Sequence, residues 1–277
     1  MIKQYDIVAE NPESTIVADY RAEYRSETKY QSEAELEKAF ITQLQTQACE
    51  YLHIKSEADL IRNLRAQLQK LNSYIFSEKE WKYFFNQYLA NANEGIEEKT
   101  RTIQEDFVKN LTRDNGETKN IYLIDKQNIH NNSLQVLNQY EAETGSRANR
   151  YDVTVLINGL PLVHIELKRR GVYIKEAFNQ INRYQRESFW AGSGLFEYVQ
   201  IFVISNGTYT KYYSNTTRNQ HCRDAMGRGV RMGAGMGAIN RAPTGYEFTS
   251  WWADANNRPI TDLIDFTKTF FAKHAIH

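Results

Sequence analysis

Arg150-Tyr-Asp-Val-Thr-Val-Leu-Ile-Asn-Gly-Leu-Pro-Leu-Val-His-Ile-Glu-Leu-Lys168 is the stretch from which the rest of the chain can be read. Two apolar-rich runs flank Asn158-Gly159, a dipeptide suited to a tight turn with positive φ, so the segment predicts a β-hairpin. Side chains alternate across a strand. Leu162, His164, Glu166 and Lys168 therefore share one face, and Val163, Ile165 and Leu167 share the other. On the preceding strand Asp152, Thr154 and Leu156 lie together.

Whether Asp152 meets Glu166 depends on the turn. A two-residue Asn158-Gly159 loop pairs Ile157 with Leu160 and Asp152 with Ile165, which sends the two carboxylates to opposite faces. A three-residue loop pairs Leu156 with Leu160 and Asp152 with His164, leaving Glu166 on the diagonal roughly 7–8 Å away between backbones. A convergent site thus demands an odd loop, or a bulge between Asp152 and the turn.

If the demand is met, Asp152, Glu166 and Lys168 form a constellation suited to metal-assisted phosphodiester hydrolysis. Hard oxygen ligands without a cysteine cluster favour Mg²⁺, for which Mn²⁺ can substitute. Asp152 and Glu166 would be ligands, with the Leu167 carbonyl as a third oxygen. Lys168 would orient or deprotonate the attacking water, or steady charge on the phosphoryl oxygens. Gln180 and Tyr184, four residues apart, share a face of the helix expected from about Tyr173 to Phe189, with Arg183 and Arg186 nearby. These four are the candidate DNA contacts. Between Arg147 and Arg186 there are eight basic residues against three acids, although the chain's net charge is zero.

The composition bounds the remaining choices. At 277 residues the chain can bury one large core. No apolar run approaches bilayer-spanning length, so no membrane partner is expected. Cys49 and Cys222 are too few for a disulfide scaffold and fit a reducing cytoplasm. Helices are expected from Ser32, from Ser56 with Asp59, and from Ser77 with Glu80, and a further one over Thr100 to Leu111. Strands are expected over Ile121–Ile124, Ser133–Tyr140, Tyr198–Ile204 and Thr208–Tyr213, and a last helix capped by Thr261. The fold class is α/β: a mixed sheet flanked by helices in a single domain, mainly helical over 1–112 and an α/β core over 113–277. The Gly- and Met-rich stretch 226–245 reads as a mobile loop. Its glycines match neither a dinucleotide fingerprint nor a Walker A loop.

Asp152, Glu166-Leu-Lys168 and Gln180-x-x-x-Tyr184 resemble the PD-(D/E)xK nuclease motif with its Q-x-x-x-Y extension, as in RecB-like nucleases and the R (restriction) subunit of type I restriction–modification enzymes. Ser32–Phe40, Asn149-Arg-Tyr-Asp152, Ile204-Ser-Asn-Gly207 and Phe248-Thr-Ser-Trp-Trp252 resemble the amino-terminal part of that subunit. Tyr151 stands where the motif has proline, a position without chemistry. The resemblance implies a restriction-endonuclease-like core, a Mg²⁺-dependent endonuclease acting on double-stranded DNA, and an acid from the first core helix, Glu33 or Glu37, completing the metal site. It also implies methylation and specificity subunits as partners, and an ATP-driven motor that is not among these residues, so the chain is expected to be a fragment. A stand-alone repair or recombination nuclease, and a non-catalytic module docking through the aromatic helices before residue 112, are the alternatives.

Overall fold

The structure, a computed structural model, describes residues 6–10, 15–18, 30–142, 149–216 and 248–272. The expected loop over 226–245, Arg147 and Cys222 lie outside the described residues.

The helix starts follow from local chemistry. Helix α1 (Glu33–Thr46) begins at Ser32, whose side chain caps the Glu35 amide while Glu35 returns a bond to the Ser32 amide. Helix α2 (Glu57–Asn72) is capped by Ser56, and α3 (Glu78–Phe84) by the reciprocal Ser77–Glu80 pair. A π-helical turn, Phe85–Leu89, extends α3.

Helix α4 differs from expectation. It spans Ile96–Gln104, with the Gly95 amide donating to Glu98, and stops well short of Leu111. Residues Val108–Thr112 are instead strand β4, paired antiparallel with β5 (Thr118–Tyr122) across the turn at Gly116. The Asp-Asn-Gly signal there closes a ribbon rather than separating a helix from a strand. A separate hairpin, β1 (Asp6–Glu10) with β2 (Thr15–Ala18), forms near the amino terminus.

The main sheet has six described strands in the order β10-β9-β8-β7-β6-β3. They are β3 (Glu50–Leu52), β6 (Leu134–Ala142), β7 (Asn149–Ile157), β8 (Leu160–Leu167), β9 (Ile201–Ser205) and β10 (Thr210–Ser214). β3 runs parallel to β6 and β8 parallel to β9, and the remaining neighbours are antiparallel. The apolar run from Tyr198 becomes a strand only at Ile201, because Leu195–Tyr198 forms a 3-10 turn. Helix α5 (Lys175–Glu187) follows β8, and α6 (Leu263–Phe270) follows β10. The cap of α6 is Asp262, not Thr261: its carboxylate accepts from the Ile264 and Asp265 amides, two donors that the hydroxyl one residue earlier does not reach.

Helices cover both faces of the sheet. On one face, Phe178 of α5 packs on Tyr213, and Phe189 just beyond α5 stacks on Phe202. On the other, Tyr212 meets Phe266 and Phe270 of α6, and Phe271 meets Phe40 of α1. This double cover buries every residue of β8, including its polar members, and sets the electrostatics of the site.

Candidate active site

The β7–β8 turn has two residues, Asn158 (φ 51°) and Gly159 (φ 83°), and pairs Ile157 with Leu160. Left alone, this register would part the carboxylates. The register shifts between Val155 and Leu156: Leu156 faces Pro161, whereas Val155 faces Val163. Leu162 is therefore an extra residue, a bulge on β8 that restores the parity. The ladder continues through Thr154–His164 to Val153–Ile165, and one further step brings Asp152 to Glu166. Of the two ways the sequence left for the acids to converge, the fold uses the bulge and not the longer loop. Asn158 fixes the turn from below, donating to the Leu123 carbonyl and to Asn132 while accepting from the Ser133 amide. Gly159 has its Cα against α2, where a Cβ would stand 2.6 Å from Leu64 Cα.

At the end of this ladder Asp152 accepts a 2.9 Å bond from the Leu167 amide. Lys168 Nζ lies 3.3 Å from Glu166 Oε1. Glu166 Oε2 and His164 Nε2 are 3.5 Å apart, both fully buried, and neither has a hydrogen-bond partner among the described residues. Burial, with Glu166 as a like-charged neighbour, pushes Asp152 up to about 8. Burial likewise raises Glu166 to about 7, against the pull of Lys168. Burial lowers His164 to about 4, so it is neutral at physiological pH. The site is thus a largely buried cluster holding more latent negative charge than one lysine offsets. Lys168, the Leu167 amide and the contact between the two acids offset their ionised forms only in part, one buried carboxylate oxygen has no partner among the described residues, and the donors are hard oxygens of the kind that suit a divalent cation.

Among the described residues no group of three His, Cys, Asp or Glu side chains clusters in a way that could hold a metal. Two carboxylates do suffice for an ion that keeps several waters. Of the two acids named on the first helix, Glu37 is engaged elsewhere: its carboxylate accepts from the side-chain amides of Asn138 and Gln139. Glu33 is the one whose negative charge reaches Glu166. A signal for it exists in the sequence, since Glu33 is the first helical residue after the Ser32 cap and so sits at the helix end.

The helix pair takes an unexpected form. Tyr184 does not present its ring to solvent. It is buried against Tyr151, His164 and Phe189, and its hydroxyl donates to the Arg150 carbonyl at 2.7 Å while accepting from the Gln180 amide. Gln180 is half-buried and Arg183 is exposed, with its guanidinium 5.4 Å from the Tyr184 ring centre and 4.0 Å from Glu187. The Arg186 side chain lies outside the described residues. Cys49 is buried, and burial raises its thiol to about 12, which leaves it unreactive.

A mixed sheet flanked by helices, with two acids and a lysine gathered where the ladder between β7 and β8 ends, defines the restriction-endonuclease-like class of α/β protein. Comparison with known proteins agrees. Residues 30–221 match the family described as type I restriction enzyme R protein N terminus. The chain is 43% identical over 270 residues to the type I restriction enzyme EcoprrI endonuclease subunit of Escherichia coli, covering 97% of this chain and 79% of that protein. It is 36% identical over 247 residues to the SsaAORF53P endonuclease subunit of Staphylococcus saprophyticus, covering 87% of this chain but 23% of that protein. It is also 37% identical over 117 residues to the putative MjaIXP endonuclease subunit of Methanocaldococcus jannaschii, which covers 40% of this chain and 11% of that protein. The chain belongs to the type I restriction enzyme R protein N-terminus family, and what it carries is the endonuclease domain of such a subunit. The names of these relatives describe each as one endonuclease subunit of a type I restriction enzyme. No helix among the described residues is long and apolar enough to cross a membrane.

Proposed function

We propose that this domain hydrolyses phosphodiester bonds of double-stranded DNA with Mg²⁺ as cofactor, in the cytoplasm. Its setting would be a complex whose other parts are an ATP-driven motor and the methylation and specificity subunits. The observation that carries the reading is the buried, partnerless Glu166 Oε2 beside Asp152 and Lys168. Asp152, Glu166 and the Leu167 carbonyl are the residues that would hold the cation, with Glu33, rather than Glu37, as the acid from the first helix. Bound there, a divalent ion supplies Lewis-acid charge to the phosphate.

The protein's own groups do the positioning. Lys168 has three N–H donors, one of which is directed to Glu166 Oε1. The other two can hold the attacking water and a phosphoryl oxygen in line with each other. Asp152 keeps its orientation through the Leu167 amide. Gln180, Arg183 and Arg186 would contact the DNA backbone, and Tyr184 would hold Gln180 in place from beneath.

Asp152→Ala and Lys168→Ala test the assignment in the assembled enzyme. Each should lower plasmid cleavage by at least about a hundredfold, while circular dichroism and assembly with the other subunits stay unchanged. Full cleavage by either variant would refute the site.

A further inference from the structure

Five residues beyond Lys168, the loop joining β8 to α5 forms one wall of a cavity of about 400 Å³. Its rim carries three aromatic rings that no core requirement explains: Tyr173 is 75% exposed, Tyr209 49% and Trp251 38%. Tyr209 and Trp251 pack edge to face with ring centres 6.2 Å apart. Lys211 Nζ sits 4.8 Å from the Trp251 ring centre and donates to Thr249 Oγ1 at 3.1 Å.

The walls are tied to one another. Asn206 donates to the Val172 carbonyl at 2.7 Å and accepts from the Tyr209 amide at 2.8 Å, joining the β8–α5 loop to the β9–β10 turn. Ser250 exchanges backbone bonds with Tyr212, which fixes Trp251 beside the edge strand β10. The cavity is therefore a preformed feature of the fold, and its polar groups and rings are already in place.

Sequence and charge say what it suits. From Lys168 to Lys175 the chain carries Lys168, Arg169, Arg170 and Lys175 and no acid. The path from Lys168 to Tyr173 spans at most about 18 Å, or at most about five stacked steps of a nucleic-acid strand. Flat aromatic faces, an ammonium beside them and a cationic approach from the phosphodiesterase site together match the parts of an unpaired nucleotide: base, phosphate and continuing strand. A peptide partner would use the apolar rings but has no need of this run of cations. We propose that the Tyr173–Tyr209–Trp251 cavity is a stacking site for an unpaired nucleotide of the DNA strand that passes the candidate active site. The proposal rests on DNA as the ligand of this domain and deepens that reading, but it does not depend on cleavage.

The test is binding of the 277-residue chain to a fluorescein-labelled oligothymidylate, followed by anisotropy at low salt in EDTA, where nothing is cut. A duplex of the same length serves as comparison. Tyr173→Ala and Tyr209→Ala alter exposed side chains and should leave the circular dichroism unchanged. Each is expected to weaken oligothymidylate binding about 5- to 150-fold, with duplex binding unaltered, and Tyr173→Phe should restore it. Irradiation of an oligonucleotide carrying 5-iododeoxyuridine should crosslink to Tyr173, Tyr209 or Trp251. Absence of oligothymidylate binding, equal affinities for wild type and both alanine variants, or crosslinks confined to other residues would overturn the proposal, whatever the cleavage assays show for Asp152 and Lys168.

Discussion

Replacing Glu166 by glutamine should make the metal-free protein more stable and the enzyme inactive. The stability effect follows from the burial of this carboxylate. Its ordinary value of 4.5 is raised to about 7 in the folded chain, so the folded state holds its proton where the unfolded state has released it. That contribution is fully present below about pH 4.5 and is lost as pH rises through 7. At 1.36 kcal/mol per pH unit, ionising Glu166 at pH 8 costs the fold about 3 kcal/mol. Asp152, raised for the same reasons, shares part of this cost, so about 2–3 kcal/mol belongs to Glu166 alone. Glutamine removes the charge. Its amide can still accept from Lys168 and can donate toward His164 Nε2, 3.5 Å away, so two buried atoms that lack partners gain one.

Thermal unfolding in EDTA at pH 8 should therefore show Glu166→Gln melting roughly 4–9 °C above wild type, at about 2–3 °C per kcal/mol for a chain of this size. At pH 4.5 most of the gap should close, because the wild-type carboxyl is then protonated in the folded state and about half protonated in the unfolded one. Addition of Mg²⁺ at pH 8 should raise the melting temperature of the wild type and not of the variant. A variant that melts at or below wild type at pH 8 in EDTA would refute the account of Glu166 as a buried charge that its partners only partly offset.

Two further perturbations probe the frame around the site. Lys99 is buried to 1% exposure, donates to the Gly194 carbonyl at 2.7 Å and to Glu197 at 3.0 Å, and lies 5.5 Å from the Tyr198 ring centre. Lys99→Met should cost about 3–5 kcal/mol in urea unfolding, and adding Glu197→Gln should recover part of it, whereas an unchanged midpoint would show the pair to be energetically idle. Gly159→Ala forces a Cβ into a left-handed turn residue and to within 2.6 Å of Leu64 Cα, so a loss of at least about 2 kcal/mol is expected, and a melting temperature equal to wild type would contradict the close approach of the turn to α2.

The features that were legible in the sequence are those decided within a few residues. Ser32, Ser56 and Ser77 announce their helices because a cap is a contact between neighbours. The hairpin around Asn158-Gly159 is equally local. What escaped depends on tertiary partners. The bulge at Leu162 carries no signature of its own, yet it decides whether Asp152 and Glu166 share a face. Gln180 and Tyr184 have the right spacing for one helical face, but the pattern does not show that this face turns Tyr184 into a cluster with Tyr151, His164 and Phe189. The switch from helix to strand between Gln104 and Val108 was hidden because Ile103, Val108 and Leu111 fit a helical reading as well as a strand pairing across Gly116. The aromatic cavity was invisible for a simpler reason: Tyr173, Tyr209 and Trp251 are far apart along the chain.

The burial of Tyr184 bears on how the site is held open. The ladder between β7 and β8 runs to Val153–Ile165, while β7 stays paired with β6 through Tyr140–Tyr151 and Glu141–Arg150. Beyond Val153, then, β7 is anchored on one side and parted from β8 on the other, and Asp152 and Glu166 lie at the fork. Side chains hold the two prongs. The Tyr184 hydroxyl bonds the Arg150 carbonyl, the Tyr151 hydroxyl bonds Ser188 at 2.7 Å, and Asp152 reaches across to the Leu167 amide. A continuous ladder would have carried backbone hydrogen bonds past both residues. The fork instead leaves Asp152 half-buried while Glu166 is fully buried, so a buried acid remains beside one that solvent, and a phosphate arriving from it, can reach. On this geometry the Gln180–Tyr184 pair is tied to the backbone at Arg150, two residues from Asp152, on the buried side of the site.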